Sequence, residues 1–313
     1  MSTSKPTGAS QSTNSGSGGQ SQPLSKETPK FPRSDPSKYN QPLGPGKFVN
    51  TAGCLIIGDE VLNGKTKDSN SNYLAKWCFD LGIELKRIEV IADDEQEIGE
   101  AVTRFAKNYD FVVTSGGIGP TPDDITYESQ GKAFNCLPLE YHDETLRRME
   151  AHQKTRSYSH EQTEEMLTAR KRMALFPSGG DQGGVDVIFP CEELWVPVVR
   201  MQGRVHILPG VPRLFEALLN GLEAYVPLDP NKPKPHRILV HTKMPESSIS
   251  PFLQRLTDKC KPLDIKVGSY PKFGSGVDVS VIGFDVAKLE EIAKEVEKEV
   301  DGKVVASEQL GKK

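Results

Sequence analysis

The sequence predicts an α/β protein with a mainly parallel sheet, followed by a small ferredoxin-like α+β domain. Two observations predict this fold class. From residue 51 onward, short apolar runs alternate with amphipathic helical patterns, which is typical of a parallel sheet covered by helices on both faces. Beyond a proline-rich linker at 227–235, the order changes to strand, helix, strand, strand, helix, strand, which matches the split βαβ arrangement of ferredoxin-like domains. We therefore expect one domain over 47–226 and a second over 236–306.

Residues 1–46 differ from the rest of the chain in composition. They are rich in Ser, Gly, Gln, Thr and Pro and have hardly any large apolar side chains, so they cannot bury enough surface to fold. Their only arginine, Arg33, comes late and no apolar face accompanies it, which is unlike a mitochondrial presequence. The sequence predicts a disordered tail and favours the cytosol or the nucleus.

The first domain is predicted to contain buried strands that are each followed by a helix. The strands are the apolar runs 54–57, 88–91, 111–113 and 205–208. After Asp68 and Ser69, either of which suits a helix cap, apolar residues recur on one helical face until Gly82 ends the helix. Further helices are expected at about 98–106, 125–134 and from 213. A charged segment over 142–172 is expected to contain helices with solvated faces.

In the second domain, alternation and periodicity predict each element. Strands are expected at 237–241, 264–267, 277–283 and 304–305, and helices at 246–259 and 286–300. The clearest strand has apolar residues at alternate positions, Val277, Val279 and Val281. No catalytic constellation accompanies these elements, so we expect this domain to serve packing or dimerisation.

The composition excludes several classes of protein. The chain has 313 residues and a net charge of −4, and it has no dense basic stripe with interleaved aromatic residues, so a nucleic-acid partner is not expected. No apolar run approaches the length of a membrane-spanning helix. The five cysteines are far apart and form no Cys-x-x-Cys pair, which argues against a zinc site and a disulfide framework and favours a reducing compartment.

The glycine-rich segment 114–124 is the strongest indication of function. It follows the predicted strand 111–113 and precedes a predicted helix, so backbone N–H groups and the helix amino end can bind phosphate. Gly116, Gly117 and Gly119 allow the backbone to approach a ligand where a Cβ would collide. Asp123 and Asp124 follow, and two carboxylates beside a phosphate suggest a bridging divalent metal.

A purely structural interpretation accounts for part of the same segment. Thr121 is a good helix N-cap, Pro122 suits the first helical position, and acidic residues in the first turn stabilise a helix through its dipole. What favours a site is the position of the other polar turns. Residues 58–60 and 93–94 also follow predicted strands, and the carboxyl ends of parallel strands meet at one edge of a sheet.

Taken together, the motifs resemble a known family. They are Ile-Gly-Asp-Glu-Val-Leu-Asn-Gly at 57–64, Asp-Ser-Asn at 68–70, Gly-Gly-Ile-Gly-Pro-Thr-Pro-Asp-Asp at 116–124 and Leu-Pro-Gly-Val-Pro at 208–212. Their order and spacing resemble the molybdopterin-binding-like family with the MoaB/MogA-type fold. Within it, the match is to the CinA-type branch, which also supplies the N-terminal domain of eukaryotic FAD synthases. The resemblance covers roughly 51–222, and Val-Gly-Ser-Tyr-Pro at 267–271 resembles the small domain that follows in this branch.

The resemblance implies a three-layer α/β sandwich that binds a small nucleotide ligand at the strand ends. In this branch the associated activity is hydrolysis of the pyrophosphate in FAD or ADP-ribose, with a divalent metal and often K⁺. Oxygen ligands admit Mg²⁺, Mn²⁺ or Co²⁺. A homodimer or trimer would suit the fold family. Neither an amidohydrolase nor an adenylyltransferase module accompanies the matched domain, so we expect a stand-alone hydrolytic domain.

The resemblance also implies roles for individual residues. Asp94 and Asp124 are the expected metal ligands, and with Asp123 they are the expected catalytic groups. The expected substrate-binding residues are Gly58, Asp59, Glu60, Asn70, Ser115, Gly116, Gly117, Gly119, Thr121, Pro209 and Gly210. Relatives that adenylylate molybdopterin have Gly-Gly-Thr-Gly in the turn, whereas this chain has Ile118 in place of the threonine, which favours the pyrophosphatase branch.

The resulting hypothesis is metal-assisted hydrolysis of a dinucleotide pyrophosphate, FAD first and ADP-ribose second. Two alternatives stay open. One is a protein that binds a nucleotide or a pterin without turnover, and the other is a molybdopterin adenylyltransferase, which would require ATP and an acceptor.

Overall fold

The computed structural model describes residues 29–155, 163–179 and 184–308. The strands of the first domain are β1 (Thr51–Ile57), β2 (Glu84–Ile91), β3 (Phe111–Ser115), β4 (Leu139–Tyr141), β5 (Leu175–Pro177), β6 (Val185–Ile188), β7 (Val198–Met201) and β8 (Val205–Leu208). Its helices are α1 (Asp59–Leu62), α2 (Asn70–Leu81), α3 (Glu95–Asn108), α4 (Thr126–Ala133), α5 (Asp143–Lys154), α6 (Glu164–Lys171) and α7 (Pro212–Leu222). The second domain consists of β9 (His236–Thr242), α8 (Glu246–Cys260), β10 (Lys266–Lys272), β11 (Gly276–Gly283), α9 (Val286–Glu299) and β12 (Gly302–Glu308).

The central sheet of the first domain is mainly parallel, as predicted. Its strand order is β2-β1-β3-β8-β7-β6, in which β1 pairs in parallel with β2 and β3, and β3 with β8. Only β7 and β6 add antiparallel pairs at one side. Helices α2 and α7 bury their apolar residues against one face, and α3 and α4 against the other. The expected three-layer α/β sandwich is therefore confirmed.

The local sequence explains where the helices on this sheet begin and end. Asp68 accepts a hydrogen bond from the N–H of Ser71 (3.1 Å) and so caps α2. Gly82 follows the same helix with φ = 73°, a left-handed conformation that glycine adopts at little cost. Asp94 caps α3 by accepting from the N–H of Glu97 (3.0 Å).

The antiparallel strands β6 and β7 are a feature that the sequence pattern did not predict. All of β7 is buried, yet it includes Arg200, which interrupts the apolar run. The Arg200 guanidinium is only 2% exposed and lies 2.8 Å from the Asp186 carboxylate on β6. A buried arginine is compatible with a sheet interior when a carboxylate pairs with it. The sequence alone does not show this partner, so an arginine in an apolar run does not indicate a buried strand.

The boundary predicted for a disordered tail at residue 46 is wrong for residues 29–46, which we call the N-terminal strap. Phe31 is only 6% exposed and its N–H donates to the carbonyl of Glu192 (2.8 Å). Arg148 donates to the carbonyl of Pro32 (2.7 Å), and its guanidinium lies between the rings of Phe31 and Phe189. One buried aromatic side chain and cation–π contacts hold a segment whose composition indicated disorder. Residues 1–28 lie outside the described residues.

The second domain has the predicted ferredoxin-like arrangement. Its sheet order is β10-β11-β9-β12 with every neighbouring pair antiparallel, so β11 lies between the two strands that α8 connects. Helices α8 and α9 pack on one face of this sheet around Val240, Val279 and Val281. The strand predicted at 264–267 begins two residues later and extends further, as β10, and the strand predicted at 304–305 is longer at both ends, as β12.

Two expectations from composition can be compared with the structure. Over the described ranges, no helix combines the length and the apolar character that crossing a membrane requires. The five cysteines are free thiols, and four of them are buried.

A buried histidine in the central sheet predicts a pH-dependent stability. Burial and the charge of Arg200 lower the pKa of His206 to about 3, so the folded protein holds a neutral imidazole. The unfolded chain binds a proton near pH 6.5, and this contribution to stability is complete above that pH and is lost as the pH falls toward 3. Urea unfolding at pH 7, 6 and 5 should show the free energy of unfolding falling by at most about 1.4 kcal/mol per pH unit from this group. The slope should be shallower in His206→Gln, and equal slopes would contradict this assignment.

Because the N-terminal strap is packed, a substitution in it should lower the free energy of unfolding, although the composition of the strap indicates disorder. Phe31→Ala should lower the free energy of unfolding by about 3 kcal/mol, since it removes a buried ring. Arg33→Ala is the control in the same strap, because its ion pair with Glu192 is exposed and should contribute less than about 1 kcal/mol. Thermal unfolding measures both, and a wild-type melting temperature for Phe31→Ala would show that the strap does not pack.

Candidate functional site

The carboxyl ends of the parallel strands meet at one edge of the central sheet, which we call the strand-end edge. The N–H of Gly58, which follows β1, donates to the carbonyl of Ile91 at the end of β2 (3.1 Å). The N–H of Gly116, which follows β3, donates to the carbonyl of Leu208 at the end of β8 (3.2 Å). The convergence that the sequence predicted for these turns is therefore confirmed.

Two glycines make this convergence possible. Gly116 has φ = 113°, and a Cβ at that position would overlap the carbonyl oxygen of Ile57. Gly117 has φ = 64°, and a Cβ there would overlap the hydroxyl of Thr126. Gly210 approaches from the other side less closely, since its own Cβ would lie 3.3 Å from the Cα of Gly116. Side chains at these positions would force the turns apart.

Asp124 organises the loop that follows the glycines. Its carboxylate accepts from the N–H of Gly119 (2.6 Å), the N–H of Thr121 (2.8 Å) and the hydroxyl of Thr121 (2.5 Å). Helix α4 begins only at Thr126, whose N–H donates to the carbonyl of Gly117 (3.0 Å). The interpretation of Thr121 and Pro122 as the start of a helix is therefore wrong, and the loop is a separate structure closed by Asp124.

The structure brings Asp93, rather than Asp94, to the strand-end edge. Asp94 turns away and caps α3. The Asp93 carboxylate accepts from the N–H of Asp59 (3.0 Å), and its other oxygen would lie 3.3 Å from a Cβ built on Gly117. Adjacent side chains in an extended segment point in opposite directions, which explains the difference between these neighbours. Sequence reasoning named the pair and chose Asp94 as the functional residue.

Electrostatics distinguishes Asp93 from the other carboxylates at this edge. Burial raises its pKa, and the negative charges of Asp59, Glu60 and Asp123 raise it further. Asp123 is exposed, and the nearby polar groups of Thr121 and of its own backbone lower its pKa. Carboxylates that repel one another in this way create a negative potential that a divalent cation would relieve.

Asn70 and Ser115 are buried beneath the turns, and the substrate contact expected for them stays a prediction. The Asn70 amide donates to the Ser115 hydroxyl (2.9 Å) and to the carbonyl of Gly210 (2.9 Å). The Ser115 hydroxyl lies 3.3 Å from the carbonyl of Pro209 and donates to it. These residues connect the turn after β3 to the turn after β8.

Sequence reasoning missed two polar residues below the glycine turn. The hydroxyl of Thr126 donates to the carbonyl of Gly116 (2.9 Å), and the amide of Gln130 donates to the hydroxyl of Thr114 (3.0 Å). Both are fully buried on the inner face of α4. Their spacing of four residues places them on the face of a helix that packs on the sheet, which is the signal that identifies them.

The donor set at the strand-end edge fits a divalent ion that also binds phosphate. Among the described residues, no three acidic, histidine or cysteine side chains lie close enough together to hold a metal by themselves. Mg²⁺ in phosphate-transfer sites is typically held by one or two carboxylates together with substrate oxygens and water. Asp93, beside an open glycine turn, fits that role. Asp94 and Asp124 already bind backbone N–H groups, and a metal role for either stays a prediction.

Comparisons with known proteins agree with this architecture. The family model described as "Probable molybdopterin binding domain" matches residues 53–228, more than half of the chain. A probable FAD synthase of Caenorhabditis elegans is 31% identical over 231 residues, which cover 71% of this chain and 44% of that protein. The chain therefore spans less than half of the length of that relative. A protein of Pyrobaculum arsenaticum is 32% identical over 230 residues, 69% of this chain and 81% of its own.

A solved structure is also similar. The CinA protein of Thermoplasma acidophilum, whose function is described as unknown, is 29% identical. The match covers 56% of this chain and 96% of that one, with a TM-score of 0.46.

The contrast between the adjacent aspartates predicts opposite effects on stability. Asp93→Asn should raise the free energy of unfolding at pH 7, because the amide removes a charge that burial and neighbouring carboxylates disfavour. The gain should shrink as the pH falls through the raised pKa of the folded state and disappear below 3.8, where the wild-type group is protonated in both states. Asp94→Ala should lower stability by about 1 kcal/mol, because it removes the cap of α3. Urea unfolding tests both, and a destabilised Asp93→Asn protein at pH 7 would contradict the electrostatic account.

Proposed function

The chain belongs to the family of probable molybdopterin binding domains, and from that premise we propose that it is a metal-dependent hydrolase of dinucleotide pyrophosphates. FAD is the first candidate substrate and ADP-ribose the second. The observation that carries the proposal is the partly buried Asp93 carboxylate beside the glycine turn at the ends of parallel strands. Membership supports a nucleotide- or molybdopterin-related function, and the similarity to FAD synthases favours FAD.

The backbone around the turn is suited to binding a pyrophosphate. Helices α4 and α7 both begin near the strand-end edge, and neither has a side-chain cap at its amino end. Unpaired N–H groups and the partial positive charge of a helix amino end favour phosphate oxygens. By contrast, Asp94 caps α3, and without this cap the amino end of α3 would compete for the same phosphate. The loop closed by Asp124 holds residues 119–121 in a fixed conformation beside these groups.

Each carboxylate has a separate task in this proposal. Asp93 would hold the divalent ion, and Asp59, Glu60 and Asp123 would add negative potential around it. A bound metal ion of this kind neutralises phosphate charge and lowers the pKa of a coordinated water. Asp124 acts on the loop and is a positioning residue, because both of its oxygens bind groups of the chain itself.

The reaction consumes one water molecule. The water oxygen forms a bond to one phosphorus atom, the bond from that phosphorus to the bridging oxygen breaks, and the bridging oxygen leaves on the other phosphate. FAD and water give FMN and AMP in this way, and ADP-ribose and water give ribose phosphate and AMP. The N–H groups of Gly116 and Gly119 already donate to Leu208 and Asp124, so the remaining N–H groups of the turn and the amino end of α4 would stabilise the negative charge that develops on the non-bridging oxygens.

A second candidate function is binding of a nucleotide or a pterin without turnover. The observation that favours it is the lack, over the described ranges, of three clustered side chains able to hold a metal unaided. A binding protein needs the glycine turns but not metal-dependent chemistry. An adenylyltransferase would in addition require ATP and an acceptor, and Ile118 in the turn makes it the less favoured alternative.

The proposal predicts metal-dependent products. Purified protein is incubated with FAD, ADP-ribose, NADH or ATP in the presence of Mg²⁺, Mn²⁺ or Co²⁺ with K⁺, and the products are separated by chromatography. FMN and AMP should appear from FAD only with metal. Asp93→Asn should lower kcat by about 100-fold or more. Asp94→Asn is the matched control and should stay active, because asparagine also caps a helix.

Two results would count against the proposal. If every substrate stays intact with all metals while a ligand raises the melting temperature, the chain is a binding protein. If Asp94→Asn loses activity and Asp93→Asn keeps it, the metal role belongs to the residue that the sequence favoured.

A further inference from the structure

Asn70 occupies a special position at the first residue of α2. It is only 6% exposed, and the preceding cap, in which Asp68 accepts from the N–H of Ser71, fixes where the helix begins. Its amide therefore enters the space beneath the turns from a rigid element.

The direction of each hydrogen bond around Asn70 is determined by chemistry. The carbonyl of Gly210 can only accept, so the group that faces it at 2.9 Å must be the Asn70 NH₂. The second hydrogen of the same NH₂ goes to the Ser115 hydroxyl (2.9 Å), which passes its own hydrogen to the carbonyl of Pro209. The Asn70 side chain thus connects the two turns through a series of hydrogen bonds.

The other atom of the Asn70 amide is unusual. Its Oδ1 is buried and makes no hydrogen bond within the described residues. An orphaned buried acceptor costs stability, so packing alone does not explain an asparagine here. The two donors of the NH₂ group are the property that distinguishes asparagine from apolar residues of similar size.

We propose that Asn70 is a positioning residue that sets the spacing between the turn at 115–117 and the turn at 209–210. The inference rests on the proposed function in one respect, that these two turns together bind the pyrophosphate. Gly210 lies beside Gly116, since a Cβ built on Gly210 would lie 3.3 Å from the Cα of Gly116. The Asn70 donors keep the two turns together, because separation of the turns would break the hydrogen bonds to Gly210 and Ser115.

The first test measures the turns directly and does not depend on activity. Asn70→Asp keeps the shape of the side chain and removes both donors. Asn50→Asp is the matched control, since Asn50 lies before the amino end of β1 and donates to the carbonyl of Phe48. Hydrogen–deuterium exchange of the full-length protein should be faster in peptides covering 114–119 and 208–213 for Asn70→Asp, and unchanged there for Asn50→Asp. Wild-type exchange in both segments of Asn70→Asp would overturn the proposal.

A second variant guards against a failure to fold. Ser115→Ala introduces no charge and breaks the donor chain to Pro209. If Asn70→Asp does not fold, Ser115→Ala should still show faster exchange in both segments. Wild-type exchange in that variant would overturn the proposal as well.

The second test separates positioning from general stability. Asn70→Asp should lower kcat for pyrophosphate hydrolysis by about 100-fold, which is the order expected when reacting groups move by about 1 Å. A buried carboxyl group regains one donor when protonated, so the activity of Asn70→Asp relative to wild type should rise as the pH is lowered from 8 to 6. The activity of Ser115→Ala relative to wild type should not change with pH over this range. If the relative activity of both variants is independent of pH, the donor role of Asn70 is contradicted. If the wild-type protein hydrolyses nothing, the proposed function fails, while the exchange data still decide on Asn70.

Discussion

The turn after β3 lies directly against the carbonyl oxygen of Ile57, and the strand-end edge depends on this contact. Only a residue without a Cβ fits there, and Gly116 also needs its φ of 113° to make the turn. Because β1, β3 and β8 are neighbouring parallel strands, Gly116 also lies at the end of β8, where its N–H donates to the carbonyl of Leu208. The turns after β1, β3 and β8 are thereby held together at the place where helices begin, and every proposal about phosphate binding follows from that arrangement.

Two pairs of adjacent aspartates divide structural and chemical tasks between neighbours. Asp94 and Asp124 bind backbone N–H groups and hold a helix and a loop in place. Asp93 and Asp123 face the edge, where their charges repel. The sequence was sufficient to locate both pairs through the strand pattern. It was not sufficient to choose within a pair, because the choice depends on which way each side chain points as the chain leaves its strand.

The parallel core and the second domain were predictable because their patterns are local. Apolar runs followed by amphipathic helices identified β1, β2, β3 and β8, and alternation identified the strands of the ferredoxin-like domain. The antiparallel strands β6 and β7 and the N-terminal strap were not predictable in this way. Their stability comes from contacts between distant residues, such as Arg148 between two rings and Arg200 with Asp186. A charged residue in such a segment becomes compatible with burial only when its partner is known.

We propose that Asp93 holds a divalent ion jointly with the phosphates of a dinucleotide. Electron paramagnetic resonance can measure this as Mn²⁺ binding to the full chain, with and without a methylene analogue of ADP-ribose that cannot be hydrolysed. We expect weak Mn²⁺ binding alone, clearly tighter binding with the analogue, and loss of that enhancement in Asp93→Asn but not in Asp94→Asn. Mn²⁺ affinity that is indifferent to the analogue, or that survives Asp93→Asn, would contradict it.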